Sequence, residues 1–256
     1  MLKIFEITLG MPPEVRVNSS MGSVFQGALM ELLSEDVAIE LHQAGLRPYT
    51  QTVYFDREIR MPVWRLSCLN DFAETEIVKP LLEKNELFLK QKNYSVKLLT
   101  KKQIHATTFE QLTDVYFQAE EVPYGVDLTF RTVTSFKRDG AYVIMPELYL
   151  ILQSLLNKWN FCSPDIKLQE QNLERHLAES CRIVQYNLHT EPFYIENKKI
   201  YGFAGKMRNL FHGNDSVKRV LALLFGFAPY AGVGIKTAIG MGAVQSTIIF
   251  RRDCQE

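Results

Sequence analysis

A glycine-rich stretch near the end of the chain reads Tyr230-Ala-Gly-Val-Gly-Ile-Lys-Thr-Ala-Ile-Gly-Met-Gly-Ala-Val244. In it, four glycines alternate with apolar residues: Gly232, Gly234, Gly240 and Gly242. We call residues 232–243 the glycine loop. Glycine adopts positive φ and lets a ligand approach main-chain N–H groups closely. Consecutive free N–H groups form an anion-binding concavity, and Lys236, next to Thr237, adds a positive charge. The loop therefore predicts a phosphate site, although a turn without any ligand would have the same composition.

The spacing around Lys236 excludes two common phosphate-binding loops. A P-loop needs glycine directly before the Lys-Ser/Thr pair and a helix after it, whereas Ile235 precedes Lys236 here. The following segment, residues 243–250, is rich in β-branched residues and predicts a strand. A dinucleotide-binding fingerprint needs a third glycine where this chain has Thr237. A glycine-rich loop that leads into a strand favours an extended ligand, such as a nucleic-acid backbone.

The glycine loop resembles the signature loop of the CRISPR-associated repeat-RNA endoribonucleases, members of the repeat-associated mysterious protein superfamily. Those enzymes cut precursor CRISPR RNA within each repeat. Other segments resemble the family in the same order along the chain: the first helix at residues 27–33, the catalytic segment at 41–50, and the start of the second domain at 130–137 and 145–147. The resemblance covers most of the chain and implies CRISPR repeat RNA as the partner.

The composition is that of a folded protein with balanced charge. The chain has 256 residues, of which 46% are hydrophobic and 23% charged, and its formal net charge is zero. Nucleic-acid-binding proteins usually carry a basic excess, so RNA binding here requires a local basic patch. The four cysteines lack ligand-like spacing, which supports neither a zinc site nor a disulfide framework. Because no apolar run is long enough to span a membrane and the N-terminal segment alternates like a strand, we expect a cytoplasmic protein without cofactors.

The first part of the chain predicts one ferredoxin-like unit. Strands are predicted at residues 2–9, 49–55, 63–69, 87–89 and 94–104, and helices after Asn18, from Asp36 and up to Leu82. Asp71 is the predicted N-cap of the last of these helices, which Pro80 is expected to kink or shorten. The resulting β-α-β-β-α-β order is that of the ferredoxin-like motif.

The second part of the chain predicts the same order of elements. Residues 107–122 are expected to connect the two parts, with the boundary at Pro123. Further strands are predicted at 126–136, 142–145, 181–194, 200–211 and 243–250, with a hairpin turn at 196–199. Helices are predicted at 147–159, 169–178 and 215–227, the last ended by Pro229. Together with the resemblance, this order predicts an α+β fold of two tandem ferredoxin-like (RRM-like) domains with antiparallel sheets, at residues 1–122 and 123–256.

His42 is the candidate catalytic residue. Cleavage of RNA without a metal needs a base for the 2′-OH, an acid for the leaving 5′-oxygen and a cation for the developing charge. Histidine titrates near neutral pH, and the resemblance places the family's active-site histidine at His42. Arg47 binds two phosphate oxygens at once and falls where the family often carries a stabilising basic residue. Composition alone favours a surface histidine at His42, and it leaves a surface arginine and a functional one equally open at Arg47.

Two further positions qualify this assignment. Some family members have a tyrosine in the first helix, but Met30 occupies that position here, so the acid is unassigned, with Tyr49 and Tyr54 as substitutes. The amino acids at residues 130–137 differ from those usual in the family, yet Lys137 remains a candidate for contact with RNA. We see no carboxylate cluster suited to two metal ions, which disfavours metal-assisted hydrolysis.

The sequence therefore predicts a metal-independent endoribonuclease that cuts CRISPR repeat RNA and leaves a 2′,3′-cyclic phosphate. The RNA-binding residues are Gly232, Gly234, Lys236, Thr237, Gly240, Gly242 and Lys137. A monomer or homodimer is expected, with other CRISPR effector subunits as further partners. Two alternatives remain: a non-catalytic RNA-binding subunit of an effector complex, and a ferredoxin-like regulatory protein that binds a small anion.

Overall fold

The alternating N-terminal segment forms an inner strand of a five-stranded antiparallel sheet. The computed structural model describes residues 1–43, 45–195 and 198–250, and the strands of this sheet lie in the order β2-β3-β1-β5-β4. They are β1 Leu2–Gly10, β2 Tyr49–Asp56, β3 Met61–Cys68, β4 Glu86–Leu89 and β5 Tyr94–Thr107. With β4 as an added edge strand, this is the predicted ferredoxin-like unit.

Helices pack their apolar residues against this first sheet. They are α1 Gly22–Met30, α2 Glu35–Gln43 and α3 Lys79–Leu82, the last preceded by a π-helical stretch at Ala73–Val78. Phe25 of α1 packs against Trp64 of β3, with ring centroids 4.9 Å apart. The predicted cap Asp71 is wrong, because Asp71 already lies in the first turn and the N–H of Ala73 donates to Asn70 Oδ1 at 2.9 Å.

A second antiparallel sheet repeats the arrangement. Its strands lie in the order β11-β6-β10-β9, and a separate hairpin joins β7 to β8. The strands are β6 Pro123–Thr134, β7 Phe136–Arg138, β8 Ala141–Val143, β9 Cys181–Ile195, β10 Lys198–Phe211 and β11 Val244–Phe250. The helices are α5 Leu148–Cys162, α6 Leu173–Glu179 and α7 Asp215–Ala231. The predicted fold of two tandem ferredoxin-like units is confirmed. Part of the turn predicted at 196–199 falls outside the described residues.

The segment expected to connect the two units contains a helix, α4 Phe109–Phe117. Thr108 and Gln111 form a reciprocal capping box at its start, which uses two N–H groups that the helix leaves unpaired. Phe109 packs edge-on against Trp159, with ring centroids 4.8 Å apart, and also against Phe227. Helix α4 therefore contributes to the core of the second unit. The boundary between residues 122 and 123 stays a prediction.

Helix α7 is one turn longer than the sequence predicts. It was expected to end at Phe227, but it continues through Pro229 to Ala231. Proline removes one helical hydrogen bond, whereas burial of Tyr230 and Ala231 favours continuation. The helix ends at Gly232, whose φ of 62° suits glycine and whose N–H donates to Ala228 O at 2.8 Å. The extra turn brings the chain directly into the glycine loop. Within the described residues, no helix has both the length and the apolar character needed to cross a membrane.

Candidate functional site

Many backbone N–H groups of the glycine loop bond to other parts of the protein. Ile235 N donates to Ser135 O at 3.0 Å, and Gly242 N donates to Val133 O at 3.0 Å. Gly234 N donates to the Ser154 hydroxyl at 2.9 Å. Because these donors are already used, they are not available to hold a phosphate group. The predicted concavity of consecutive free N–H groups is therefore wrong at these positions.

The glycines instead allow the backbone to pack closely. A Cβ atom at Gly242 would lie 2.0 Å from Val233 O, and one at Gly234 would lie 2.3 Å from Ser135 O. Both residues also have positive φ, at 67° and 81°. Such contacts and angles exclude other residues without a shift of the backbone. At these two positions, glycine is thus required by packing, and its role in RNA binding stays a prediction.

The glycine loop joins the second unit to the first. Gln51 Nε2 donates to Ala238 O of the loop at 2.8 Å, and the Thr50 hydroxyl donates to Tyr230 O, at the end of α7 just before the loop, also at 2.8 Å. Gln51 Nε2 also donates to Gly22 O at 3.1 Å, while its Oε1 accepts from the indole of Trp64. The loop is therefore anchored to β2, the strand that begins two residues after Arg47.

Lys236 is the exposed member of the glycine loop that carries charge. Its backbone is left-handed, with φ of 57°, and its side chain lines a cavity of about 470 Å³. Lys198 and Lys199 of β10 line the same cavity, together with Tyr142 of β8. Three lysines that line one concavity make it attractive to anions. We did not single out the two β10 lysines from the sequence, although a Lys-Lys pair beside a hairpin turn is a visible signal.

Lys137 lies near the same surface. It is exposed on β7 and faces Tyr142 across the β7–β8 hairpin, and side chains of directly opposed residues share a face of the hairpin. Its neighbour Arg138 forms a two-pronged ion pair with Glu147, at 2.6 and 3.0 Å. We call Lys137, Lys198, Lys199 and Lys236 the lysine cluster. The structure thus brings together two predicted RNA-binding lysines and two that the sequence analysis missed.

Thr237 and Gly232 lie in a different place from the lysine cluster. They line a cleft of about 840 Å³ between the two units, which Thr50, Thr52 and Arg131 also line. Thr237 is buried, and its hydroxyl accepts a hydrogen bond from Lys158. Its predicted contact with RNA is untested.

His42 is exposed in the last turn of α2, next to the buried Leu41. Arg47 is half-buried, and its charge lowers the pKa of Tyr49 against the larger opposing effect of burial. Among the residues that the structure describes, neither His42 nor Arg47 lines the cleft or the cavity beside the lysine cluster. Arg47 is linked to the glycine loop through β2, which begins two residues after it and whose Gln51 side chain donates to Ala238 O.

The two tyrosines considered as substitutes for the acid have internal partners. Tyr49 is buried, its hydroxyl donates to Gln26 Oε1 at 2.7 Å, and burial raises its pKa to about 12. The Tyr54 hydroxyl donates to the Glu6 carboxylate at 2.8 Å, and its pKa is raised, chiefly by burial. Both hydroxyl protons are therefore already donated within the protein, to Gln26 and to Glu6. In the described part of the chain, no group of three or more His, Cys, Asp and Glu side chains is arranged to hold a metal ion.

Known proteins resemble this chain both in sequence, including the glycine loop, and in fold. The family model of the CRISPR-associated endoribonuclease Cas6 matches residues 128–244. A CRISPR-associated endoribonuclease Cas6 of Streptococcus thermophilus is 32% identical over 223 residues, which cover 86% of this chain and 89% of that protein. One from Mycobacterium tuberculosis is 26% identical over 229 residues, or 89% of this chain and 72% of that protein.

A solved Cas6 product complex has the same fold. It superposes with a TM-score of 0.80 at 24% identity, over 96% of this chain and 99% of that one. The family predicted from the glycine loop is confirmed. Because its identity to the Streptococcus protein extends over most of both sequences, the chain belongs to the family of CRISPR-associated Cas6 endoribonucleases.

Proposed function

We propose that this endoribonuclease cuts CRISPR repeat RNA within each repeat, without a metal ion. The relatives are CRISPR-associated endoribonucleases, and a solved structure with the same fold is a product complex, which supports RNA processing. The 2′-oxygen of the nucleotide before the cut attacks phosphorus, and the P–O5′ bond breaks. A base takes the 2′ proton and an acid protonates the departing 5′-oxygen. The products are a 2′,3′-cyclic phosphate and a 5′-hydroxyl.

His42 is the residue that we propose for proton transfer. The observation that carries the proposal is its place at the end of α2, where Leu41 anchors the helix in the core and the adjacent imidazole is exposed. An exposed imidazole can meet a large substrate such as RNA. In its neutral form it accepts the 2′ proton, and in its protonated form it donates to the 5′-oxygen.

Arg47 is the residue that we propose for stabilising the phosphorane. Burial raises the pKa of Tyr49 and the charge of Arg47 lowers it, so the guanidinium group lies close enough to act on the start of β2. A guanidinium group donates two parallel hydrogen bonds to phosphate oxygens and remains charged at every relevant pH. As negative charge grows on the non-bridging oxygens, such a group lowers the barrier.

The lysine cluster is the surface that we propose for holding the RNA backbone. Its four ammonium groups give this formally neutral protein the local basic patch that RNA binding requires. The internal use of many N–H groups in the glycine loop leaves side chains as the main source of attraction for phosphate there. The loop then contributes by holding Lys236 in place.

The proposal is tested by incubating repeat RNA with the protein in excess EDTA and determining the ends of the products. We expect one cut per repeat, with a 2′,3′-cyclic phosphate and a 5′-hydroxyl. His42→Ala should cleave far more slowly under the same conditions, while His176→Ala, which alters another exposed histidine, should cleave normally. A requirement for Mg²⁺, or products that carry a 5′-phosphate, would contradict the proposed reaction.

A further inference from the structure

Lys158 of α5 is a buried lysine whose ammonium group contacts the glycine loop. Its exposed fraction is 4%. Its Nζ donates to Ala231 O at 2.8 Å, to Gly232 O at 3.1 Å and to the Thr237 hydroxyl at 3.1 Å. These three acceptors match the three N–H donors of an ammonium group. Burying an ammonium group is costly, and here the cost is offset by hydrogen bonds to residues at the start and in the middle of the glycine loop.

The surroundings of Lys158 suit a lysine in either protonation state. Ala231 is the last residue of α7, where carbonyl oxygens without a partner in the helix favour a cation. Burial lowers the pKa of Lys158 to about 7, with Cys162 acting in the opposite direction. A neutral amine can still donate to both carbonyl oxygens and accept a hydrogen bond from the Thr237 hydroxyl. The three contacts therefore remain possible on both sides of neutral pH.

Ser154 makes a second contact from the same helix. It lies one turn before Lys158 on α5, so the two side chains share a face of that helix. Its hydroxyl accepts from Gly234 N at 2.9 Å, between the points that Lys158 holds. The segment fixed in this way carries Lys236, which is exposed and adopts a φ of 57°. Helix α5 thus contacts the loop on both sides of Lys236.

We propose that Lys158 is a positioning residue for RNA binding, which holds the glycine loop so that Lys236 completes the lysine cluster. This role rests on the proposed contact between Lys236 and RNA. Lys158 itself is buried behind the loop and is not expected to touch RNA. Removing its hydrogen bonds should loosen residues 233–236 and weaken RNA binding, while the chemistry at the cleavage site remains unchanged.

The first experiment measures the loop directly, without RNA. Amide hydrogen exchange is followed by mass spectrometry in a peptide that contains residues 233–241, in wild type and in Lys158→Met. We expect exchange in the variant to be about tenfold faster or more in this peptide, with unchanged exchange in β1. Lys167→Met is the matched control, since Lys167 also donates to carbonyl oxygens near the end of α5, those of Asn160 and Ser163, but none in the loop.

The second experiment separates RNA binding from catalysis. Lys158→Met should raise the Kd for repeat RNA by roughly fivefold to tenfold, as expected for one lost phosphate contact, while the single-turnover rate at saturating RNA stays within about twofold of wild type. A variant that is merely misfolded would instead lose active enzyme and show a reduced amplitude. In the Lys158→Met/Lys236→Ala double variant, Kd should match that of Lys236→Ala alone, because both changes remove the same contact.

Thr237→Val provides a second route if Lys158→Met fails to fold. It removes one of the three acceptors with little change in shape, and we expect a smaller shift in the same direction in both loop exchange and Kd. Unchanged exchange in the loop of either folded variant would overturn the positioning role. If loop exchange is faster in Lys158→Met but Lys236→Ala binds RNA with wild-type affinity, the proposed contact between Lys236 and RNA is overturned. Lys158 would then hold the loop without contributing to RNA binding.

Discussion

The glycine loop and helix α2 carry the two halves of the proposed site, and they are attached to the protein in opposite ways. The loop is fixed by hydrogen bonds to β6, to Ser135 just after it, to α5 and to β2, and two of its glycines have no room for a Cβ atom. Among the α2 residues whose burial is described, Val37 and Leu41 are buried and the others are exposed or half-buried. The glycine loop, proposed to position RNA-binding residues, is thus fixed to the core, whereas the end of α2, which carries the proposed catalytic histidine, lies at the surface.

This contrast predicts different consequences of mutation in the two regions. A change in the loop should act through the fold or through the place of Lys236. A change at the end of α2 should act on the reaction, because an exposed side chain contributes little to stability.

The largest effect is expected at the end of α2. His42→Ala should slow single-turnover cleavage by roughly 10²–10⁴, the range for losing a general acid–base group. Its Kd for repeat RNA and its melting temperature should match those of wild type, because the imidazole is exposed. Rates are measured at saturating RNA, with His176→Ala as the control. A wild-type rate in His42→Ala would move the chemistry to another residue.

A loss of stability is expected in the glycine loop. Gly242→Ala should lower the free energy of unfolding by about 3 kcal/mol or more, because its Cβ would meet Val233 O at 2.0 Å. Gly140→Ala is the matched control: Gly140 also has positive φ, at 82°, but its Cβ would meet nothing within 4 Å. The control should lower the free energy of unfolding by about 1 kcal/mol, from backbone strain alone. If denaturant unfolding gave the same loss for both variants, the loop would not be closely packed.

A dependence on pH is expected from Lys158. Its folded pKa of about 7 lies below the unfolded value of about 10.4, so the unfolded chain binds more protons between them. Stability should therefore rise with pH in that range, by at most about 1.4 kcal/mol per pH unit. The quantity to measure is the difference in unfolding free energy between wild type and Lys158→Met from about pH 7 to about pH 8.5, because the contribution of the buried cysteines is present in both proteins and cancels in the difference. A difference that does not change with pH would contradict the lowered pKa.

The smallest effect is expected from Lys236. Lys236→Ala should weaken the binding of RNA of any sequence and reduce the salt slope by about 0.7–0.9 of a unit, as expected for one lost phosphate contact. Lys206→Ala, which removes an exposed lysine elsewhere on β10, should leave the slope unchanged. Fluorescence anisotropy over a salt series measures both. Wild-type binding by Lys236→Ala and Lys236→Glu would remove the lysine cluster from the RNA-binding surface.

The strands, the fold class and the family could be predicted from the sequence, because they depend on local patterns. Alternation in residues 2–9 identifies a strand, and the glycines at 232–242 identify the loop. The path of α7 beyond Pro229 could not be predicted, since it depends on the burial of Tyr230 and Ala231 in the assembled core.

The candidate site was predictable only in part. His42 and Lys236 could be proposed because they stand in recognisable local contexts. The bonding of the loop N–H groups could not, since their partners, such as Ser135 and Ser154, lie about 80 to 100 residues earlier in the sequence. Lys158 resembles an ordinary exposed lysine on an amphipathic helix, and its burial becomes visible only when α5, α7 and the loop are packed together.

Whether the 2′-OH of the RNA is the nucleophile depends on a single oxygen atom of the substrate, which can be removed. Repeat RNA is made with 2′-deoxyribose only at the nucleotide immediately 5′ of the cut, and cleavage and binding are measured in EDTA. We expect no detectable cleavage at that position and a Kd close to that of the all-ribose RNA. Cleavage at the normal site in the deoxy-substituted RNA would exclude the 2′-OH as the nucleophile.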